Sequence, residues 1–275
     1  MEVTERRLRV SLEERIYQIL KNREENTDDN ELKKNSMPSM LTTQASYSCE
    51  ECKDTTFIQG ENGMIRCKCF ERDRIKRLWD KAGLNPEQKA RTIDTFKEWN
   101  PTSKIAKRVA IEYIKDFETI KDTRVNSIAF IGQVGSGKTH LSISIALNLL
   151  ERGIGTVYMP YRDEIMKLKQ NSMDEIAYQK QINVFKKAKV LLIDDLFKGD
   201  FNKFQGKETA NESSMRIMFE IINHRYLNNL PIIVSSEYNA DKLLDADEGV
   251  GSRIIEMTKN YLVEIEGREN NYRLK

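Results

Sequence analysis

Ser127-Ile-Ala-Phe-Ile-Gly132-Gln-Val-Gly-Ser-Gly-Lys138-Thr139-His140-Leu-Ser-Ile-Ser-Ile-Ala-Leu-Asn-Leu-Leu150 runs from an apolar stretch through a Gly-x-x-x-x-Gly-Lys-Thr loop into a helix-forming stretch. Strand, loop and helix in that order are the setting in which a glycine-rich loop cradles phosphates. Glycines let the backbone curl so that successive N–H groups point inward, and the helix N-terminus adds its positive end. The expected cradle is Gly132, Val134, Gly135, Ser136, Gly137, Lys138, Thr139 and His140. Lys138 would reach the β- and γ-phosphates of ATP, and the Thr139 hydroxyl would bind Mg2+.

Working outward, short apolar runs at 127–131, 156–159, 190–193 and 232–235 alternate with amphipathic stretches at 139–152, 163–170 and 212–227. Such alternation predicts an α/β fold, a parallel sheet flanked by helices. Val190-Leu-Leu-Ile-Asp194-Asp195 ends one strand on paired acids. Asp194 would hold Mg2+, and Asp195 would orient the attacking water. Asp is a shorter base than the Glu found in many ATPases, so slow turnover is expected.

The 275-residue chain carries a formal charge of +2, which gives no global drive toward polyanions. No apolar run approaches the roughly 20 residues of a membrane span, and the N-terminus opens polar, so a cytoplasmic protein without a membrane partner is expected. Val10, Leu12, Ile16, Tyr17, Ile19 and Leu20 lie among charges at near-helical spacing. They predict an amphipathic helix, either a strut on its own domain or a docking helix, followed by a polar linker. Residues 67–91 carry eight basic side chains against four acidic ones. Asn100-Pro101-Thr102-Ser103 then predicts a capped helix whose core stripe is Ile105, Val109, Tyr113 and Phe117.

All four cysteines fall in Cys49-x2-Cys52-x14-Cys67-x-Cys69. Two close pairs can converge on one tetrahedral Zn2+, with 55–58 and 64–66 as hairpin arms. Four thiolates leave no open coordination position, so such a metal would be structural. The alternative is a set of free or redox-active thiols.

Taken together, these motifs resemble the DnaC/DnaI family of replicative helicase loaders, especially the forms carried by phages and prophages of Gram-positive bacteria. The resemblance runs from about Ser48 to the C-terminus. It rests on Cys49-x2-Cys52-Lys-Asp-Thr, Gly132–Thr139, Leu192-Ile-Asp-Asp-Leu196, Ile221-Ile-Asn-His-Arg-Tyr226, Ile232-Ile-Val-Ser-Ser-Glu-Tyr238, Gly251-Ser-Arg-Ile254 and Asn271-Tyr-Arg273. It implies an AAA+ ATPase that engages a hexameric replicative DNA helicase and helps place it on single-stranded DNA. It also implies self-association head to tail or on the helicase ring, with Arg253 as a trans-acting arginine finger. Glu237 falls where relatives carry a polar sensor, but an ionised Glu cannot donate a hydrogen bond. Arg273 resembles the family's closing Tyr-Arg and would contact nucleotide or a neighbour.

The expected organisation is an N-terminal helix and linker at 1–48, a zinc module at 49–70, a basic connecting segment at 71–100 and the AAA+ domain at 101–275. The 197–213 stretch, with Phe197, Phe201, Phe204, Lys198, Lys203 and Lys207, offers a surface for single-stranded DNA or a mobile loop. Two other readings stand beside the loader: a transposition-helper ATPase built on the same core, and a zinc-stapled DNA-binding adaptor with a non-hydrolysing nucleotide site.

Overall fold

A computed structural model of the chain describes residues 47–60, 63–70, 73, 77, 80, 83–204 and 207–275. The chain divides into two units, Met1–Ser48 and Cys49–Lys275. The expected N-terminal amphipathic helix lies outside the described residues.

The second unit begins with an antiparallel hairpin, β1 (Phe57–Gly60) and β2 (Gly63–Arg66), in which Phe57 faces Arg66. A short helix α1 (Pro86–Lys89) precedes α2 (Pro101–Ile120). Asn100 caps α2 as expected: its side chain accepts from the Ser103 N–H, the Ser103 hydroxyl accepts from the Asn100 N–H, and Pro101 starts the helix. The stripe that α2 buries differs from the expected one. Ser103, Ala106, Ala110, Tyr113 and Phe117 face inward, while Ile105 is about half exposed. Residues strictly four apart drift about 40° around a helix at each step, so an i, i+4 row leaves the core face within two turns. Alternating steps of three and four stay on it, and the alanines let α2 lie close against the next helix.

The main layer is a five-stranded sheet: β3 (Ile128–Gly132), β4 (Thr156–Pro160), β5 (Val190–Asp194), β8 (Ile232–Ser236) and β9 (Leu262–Ile265). All four pairings are parallel and the spatial order is β4-β5-β8-β3-β9. Alternate residues of each strand feed two cores. Ala129, Ile131, Leu191, Ile193, Ile232 and Val234 pack with α4 (Tyr161–Gln170), α5 (Glu175–Lys187), α6 (Glu212–Leu227), α7 (Ala240–Ala246) and α8 (Glu248–Thr258). Ile128, Phe130, Val190, Leu192, Ile233 and Val263 pack on the other side with α2 and α3 (Lys138–Glu151). A strand covered on both faces must be apolar throughout, which is why these runs read as unbroken hydrophobic stretches. An antiparallel hairpin, β6 (Phe201–Phe204) and β7 (Lys207–Ala210), sits between β5 and α6. No described helix is long and apolar enough to cross a membrane.

The topology fixes where a site can form. From β3 the chain crosses to β4 on one side, whereas from β8 it crosses over β3 to reach β9 on the other. The carboxyl ends of β3 and β8 therefore flank the crevice where the connections diverge, the usual ligand position of an open parallel sheet.

Candidate nucleotide site and metal centre

The loop leaving β3 turns on Gly132 and Gly137, both in the left-handed region (φ 97° and 88°). A side chain at Gly132 would run into the Ile265 backbone, and one at Gly137 would meet the Phe96 ring at 2.7 Å. Gly137 caps α3, so Lys138 is its first helical residue. The Lys138 ammonium folds back on the loop and donates to the Gly132 carbonyl at 2.9 Å and the Gln133 carbonyl at 2.5 Å. Burial pushes its pKa down to about 8, only partly offset by Glu237 and Asp195 nearby.

Asp194 closes the floor. Its carboxylate accepts from Thr139 Oγ1 at 2.8 Å, Ser235 Oγ at 2.5 Å and the Tyr158 hydroxyl at 3.1 Å. Burial nevertheless holds its pKa above the usual carboxylate value. The same Ser235 oxygen accepts from the Asp195 N–H, tying the end of β5 to β8. Thr139 and Asp194 thus come together as the sequence requires, and their hard oxygens suit Mg2+.

Above them opens a cleft of about 520 Å³. Of the expected residues, Val134, Gly135, Ser136, Gly137, Lys138, Thr139, His140, Asp195, Glu237 and Arg273 all line it. Cationic side chains Arg91, Lys97, Lys138, Lys198 and Arg273 outnumber Asp195 and Glu237, which suits a polyphosphate. The His140 imidazole meets the Thr92 carbonyl at 2.9 Å and packs edge-on to Phe96, and burial lowers its pKa.

Much of the cleft wall comes from the segment expected only to connect. Leu84 and Phe96 are buried in the core, the Ser144 hydroxyl donates to the Arg91 carbonyl, and Gln88 Nε2 donates to the Tyr158 hydroxyl. Trp99 packs between Phe96 and Tyr272 with its ring tilted to both, at ring-centre distances of 5.6 and 4.9 Å. Its indole N–H is buried and has no acceptor among the described residues. The Tyr272 N–H donates to the Gly135 carbonyl, so the C-terminal turn clamps the loop. A tryptophan beside the Asn100 cap was the only available sequence signal for this wall.

Arg253 lies elsewhere. On α8 its guanidinium sits over Phe219 and Tyr226, 5.1 and 5.3 Å from the ring centres, and donates to the Gly249 carbonyl at 2.6 Å. It does not line the cleft of its own chain. The surface expected for single-stranded DNA is corrected in part. Phe197 is fully buried against Tyr161, and Lys198 is bound to Asp195 and Glu237. Phe201 packs on Tyr238 with Lys242 over its ring.

In the hairpin module the four cysteine sulfurs all lie within 4.8 Å of one another. Cys49 and Cys67 are 3.7 Å apart and Cys52 and Cys69 3.3 Å. Ligands at about 2.3 Å from a tetrahedral zinc are separated by roughly 3.8 Å, so the set fits that ion. Lys53, Asp54 and Thr56 take left-handed backbone angles to wrap the turn, and the Asp54 carboxylate accepts from the Cys49 N–H.

A five-stranded parallel sheet with a Gly-x-x-x-x-Gly-Lys-Thr loop at its switch point defines an AAA+ P-loop ATPase. Residues 61–275 match the IstB-like ATP binding protein family, and the chain belongs to it. It is 37% identical over 238 residues to the phage-like element PBSX protein XkdC of Bacillus subtilis (strain 168), covering 83% of this chain and 87% of that one. It is 31% identical over 146 residues to the ATP-binding protein of insertion sequence IS5376 from Geobacillus stearothermophilus, covering 53% of this chain and 52% of the relative. A crystal structure of the DnaC helicase loader superposes with a TM-score of 0.53 at 25% identity, covering 70% of this chain and 99% of that one. The chain spans about half the length of the DnaA initiator bound to AMPPCP and single-stranded DNA, with which it shares the fold at a TM-score of 0.53.

Proposed function

We propose that the chain is an ATP-switched loader of a hexameric replicative DNA helicase onto single-stranded DNA. Within the cleft, the Lys138 ammonium exchanges the Gly132 and Gln133 carbonyls for phosphate oxygens. Thr139 and Asp194 would hold Mg2+, which would supply charge neutralisation at the phosphates. Asp195 orients a water whose oxygen bonds to the γ-phosphorus as the bond to the bridging oxygen breaks, giving ADP and phosphate; the water's proton passes through Asp195 to the phosphate.

The observation that carries the reading is the incompleteness of the cleft. Its own lining includes Arg91 and Arg273 but not Arg253, the expected arginine finger, which sits on α8 against Phe219. A second copy stacked head to tail would supply it, so nucleotide becomes the glue of an assembly that could sit on a helicase ring. Similarity to DnaC and the cysteine module ahead of the ATPase core favour the loader. In this organisation 1–48 is the helicase-binding arm, 49–70 the zinc module, 71–100 the connector that also walls the cleft, and 101–275 the ATPase core. Arg273 contacts nucleotide from the C-terminal turn.

Mixing Lys138→Ala with Arg253→Ala tests the intersubunit site. Each folded variant should be inactive alone, and the mixture should regain turnover, since one interface then carries an intact cleft and an intact finger. No recovery sinks the trans arrangement. Likeness to the IS5376 protein supports a second reading, a transposition helper. Pull-down with the hexameric helicase against a transposase, with and without ATP, separates the two.

A further inference from the structure

We propose that Lys198 is a catalytic residue of the ATPase, an in-chain cation that binds the γ-phosphate, and that Glu237 acts by holding it there. The residue at the sensor position is an acid and cannot donate to phosphate. It is not idle. Lys198 Nζ lies 2.7 Å from Glu237 Oε1 and 2.9 Å from Asp195 Oδ2, bridging the ends of β8 and β5. All three side chains line the same cleft as Lys138.

An ammonium has three N–H donors. Glu237 and Asp195 take two, and the third remains for a ligand in the cleft. Two uncompensated carboxylates facing an incoming triphosphate would repel it. Lys198 between them reverses that sign, and the pair Glu237–Lys198 presents the donor that Glu237 alone lacks.

The backbone is built to hold Lys198 at this spot. Asp195 and Phe197 both take left-handed angles (φ 57° and 64°), a conformation costly for residues other than glycine. Three contacts enforce it. The Leu196 N–H donates to the Ser235 carbonyl at 2.8 Å, the Ser236 hydroxyl donates to the Leu196 carbonyl at 2.9 Å, and Phe197 is fully buried. With its neighbours pinned on both sides, the chain has little choice but to turn Lys198 toward the cleft. Phe197 is thereby an anchor for a catalytic loop.

The inference rests on the cleft being the ATP site, which Lys138→Ala tests separately. Titration calorimetry with Mg2+ and either ATPγS or ADP reads the γ-phosphate contact without turnover. Lys198→Ala should weaken ATPγS about tenfold while leaving ADP within about twofold, the loss of one charge-assisted hydrogen bond. ATP turnover should fall as well. Glu237→Gln, which keeps the shape but loosens Lys198, should move the ATPγS-to-ADP ratio in the same direction by less, and Lys198→Arg should restore most of it. Lys198 is 43% exposed, so its removal leaves the fold intact, and Lys198→Gln provides a second truncation of similar length.

Equal loss of both nucleotides would make Lys198 a structural strut and overturn the proposal. Unchanged binding with faster turnover would make it a latch on Asp195, and would also overturn it. If Lys138→Ala bound ATPγS normally, the nucleotide-site reading itself would fall, an outcome distinct from either.

Discussion

Lys138 carries the site's charge in a buried position, and that sets a pH dependence. In the free protein burial depresses its pKa to about 8. Below pH 7 the ammonium is fully charged and ready for phosphate. Above pH 8 binding must first take up a proton, so affinity falls as pH rises. Titrations at pH 7.0, 8.0 and 9.0 should show ATPγS affinity falling about twofold over the first step and about fivefold over the second, one proton per site. An unchanged affinity at pH 9.0 would show that Lys138 keeps its proton in the free protein. Asp195 makes a second residue-scale prediction. Asp195→Asn keeps the shape but removes the carboxylate, so turnover should drop at least about a hundredfold with nucleotide still bound. Retained turnover would assign water orientation to another group. Asp194 differs because its carboxylate is committed to Thr139, Ser235 and Tyr158. Its loss would disorganise the floor as well as the chemistry.

At the scale of elements, two family motifs find structural explanations that their spacing does not suggest. Arg225, in the Ile221–Tyr226 motif on α6, is fully buried. It donates to the carbonyls of Phe185 and Ala188 at the end of α5, at 2.8 and 2.9 Å, and to that of Pro231 ahead of β8 at 2.7 Å. The guanidinium therefore caps one helix and ties it to a strand, which a helix end needs. Arg225→Leu should cost at least about 3 kcal/mol, because several buried carbonyls lose a charged donor together. Urea denaturation measures it, and a change below 1 kcal/mol would refute the capping role. Gly251 precedes the expected finger in Gly251-Ser-Arg-Ile254. A side chain there would meet the Leu243 carbonyl at 2.6 Å where α7 crosses α8. Gly251→Ala should push the two helices apart and destabilise by about 1–3 kcal/mol. It should also weaken the proposed head-to-tail assembly more than it weakens nucleotide binding, since Arg253 rides on α8.

For the molecule as a whole, the cysteine module and the nucleotide core make separable demands. The four sulfurs crowd into a sphere sized for one ion. Metal analysis of protein purified without chelator should find about one zinc per chain, and Cys52→Ser with Cys67→Ser should remove it. Protein holding less than about 0.2 zinc per chain after refolding with Zn2+ would return the cysteines to the free-thiol reading.

The sequence by itself determined the phosphate loop, the paired acids, strands β3, β4, β5 and β8, and the cysteine set. Each is local: a run of residues whose spacing alone dictates a turn, a buried strand or converging ligands. The fifth strand was illegible because Leu262–Ile265 is only four residues long and carries Glu264, so it lacks the unbroken apolar run of β3 beside it. Of the stripe expected on α2, Tyr113 and Phe117 are buried and Ile105 is not, because the face a helix buries depends on what packs against it. Only the tertiary structure decided that Trp99 and Tyr272, 173 positions apart, meet across the cleft, and that Lys198 joins Asp195 to Glu237. Those contacts exist because the sheet order sets β5 beside β8 and returns the C-terminus to the loop after β3. Local pattern specifies the elements, but strand order is set by how all of them share two cores, and no segment carries that information alone.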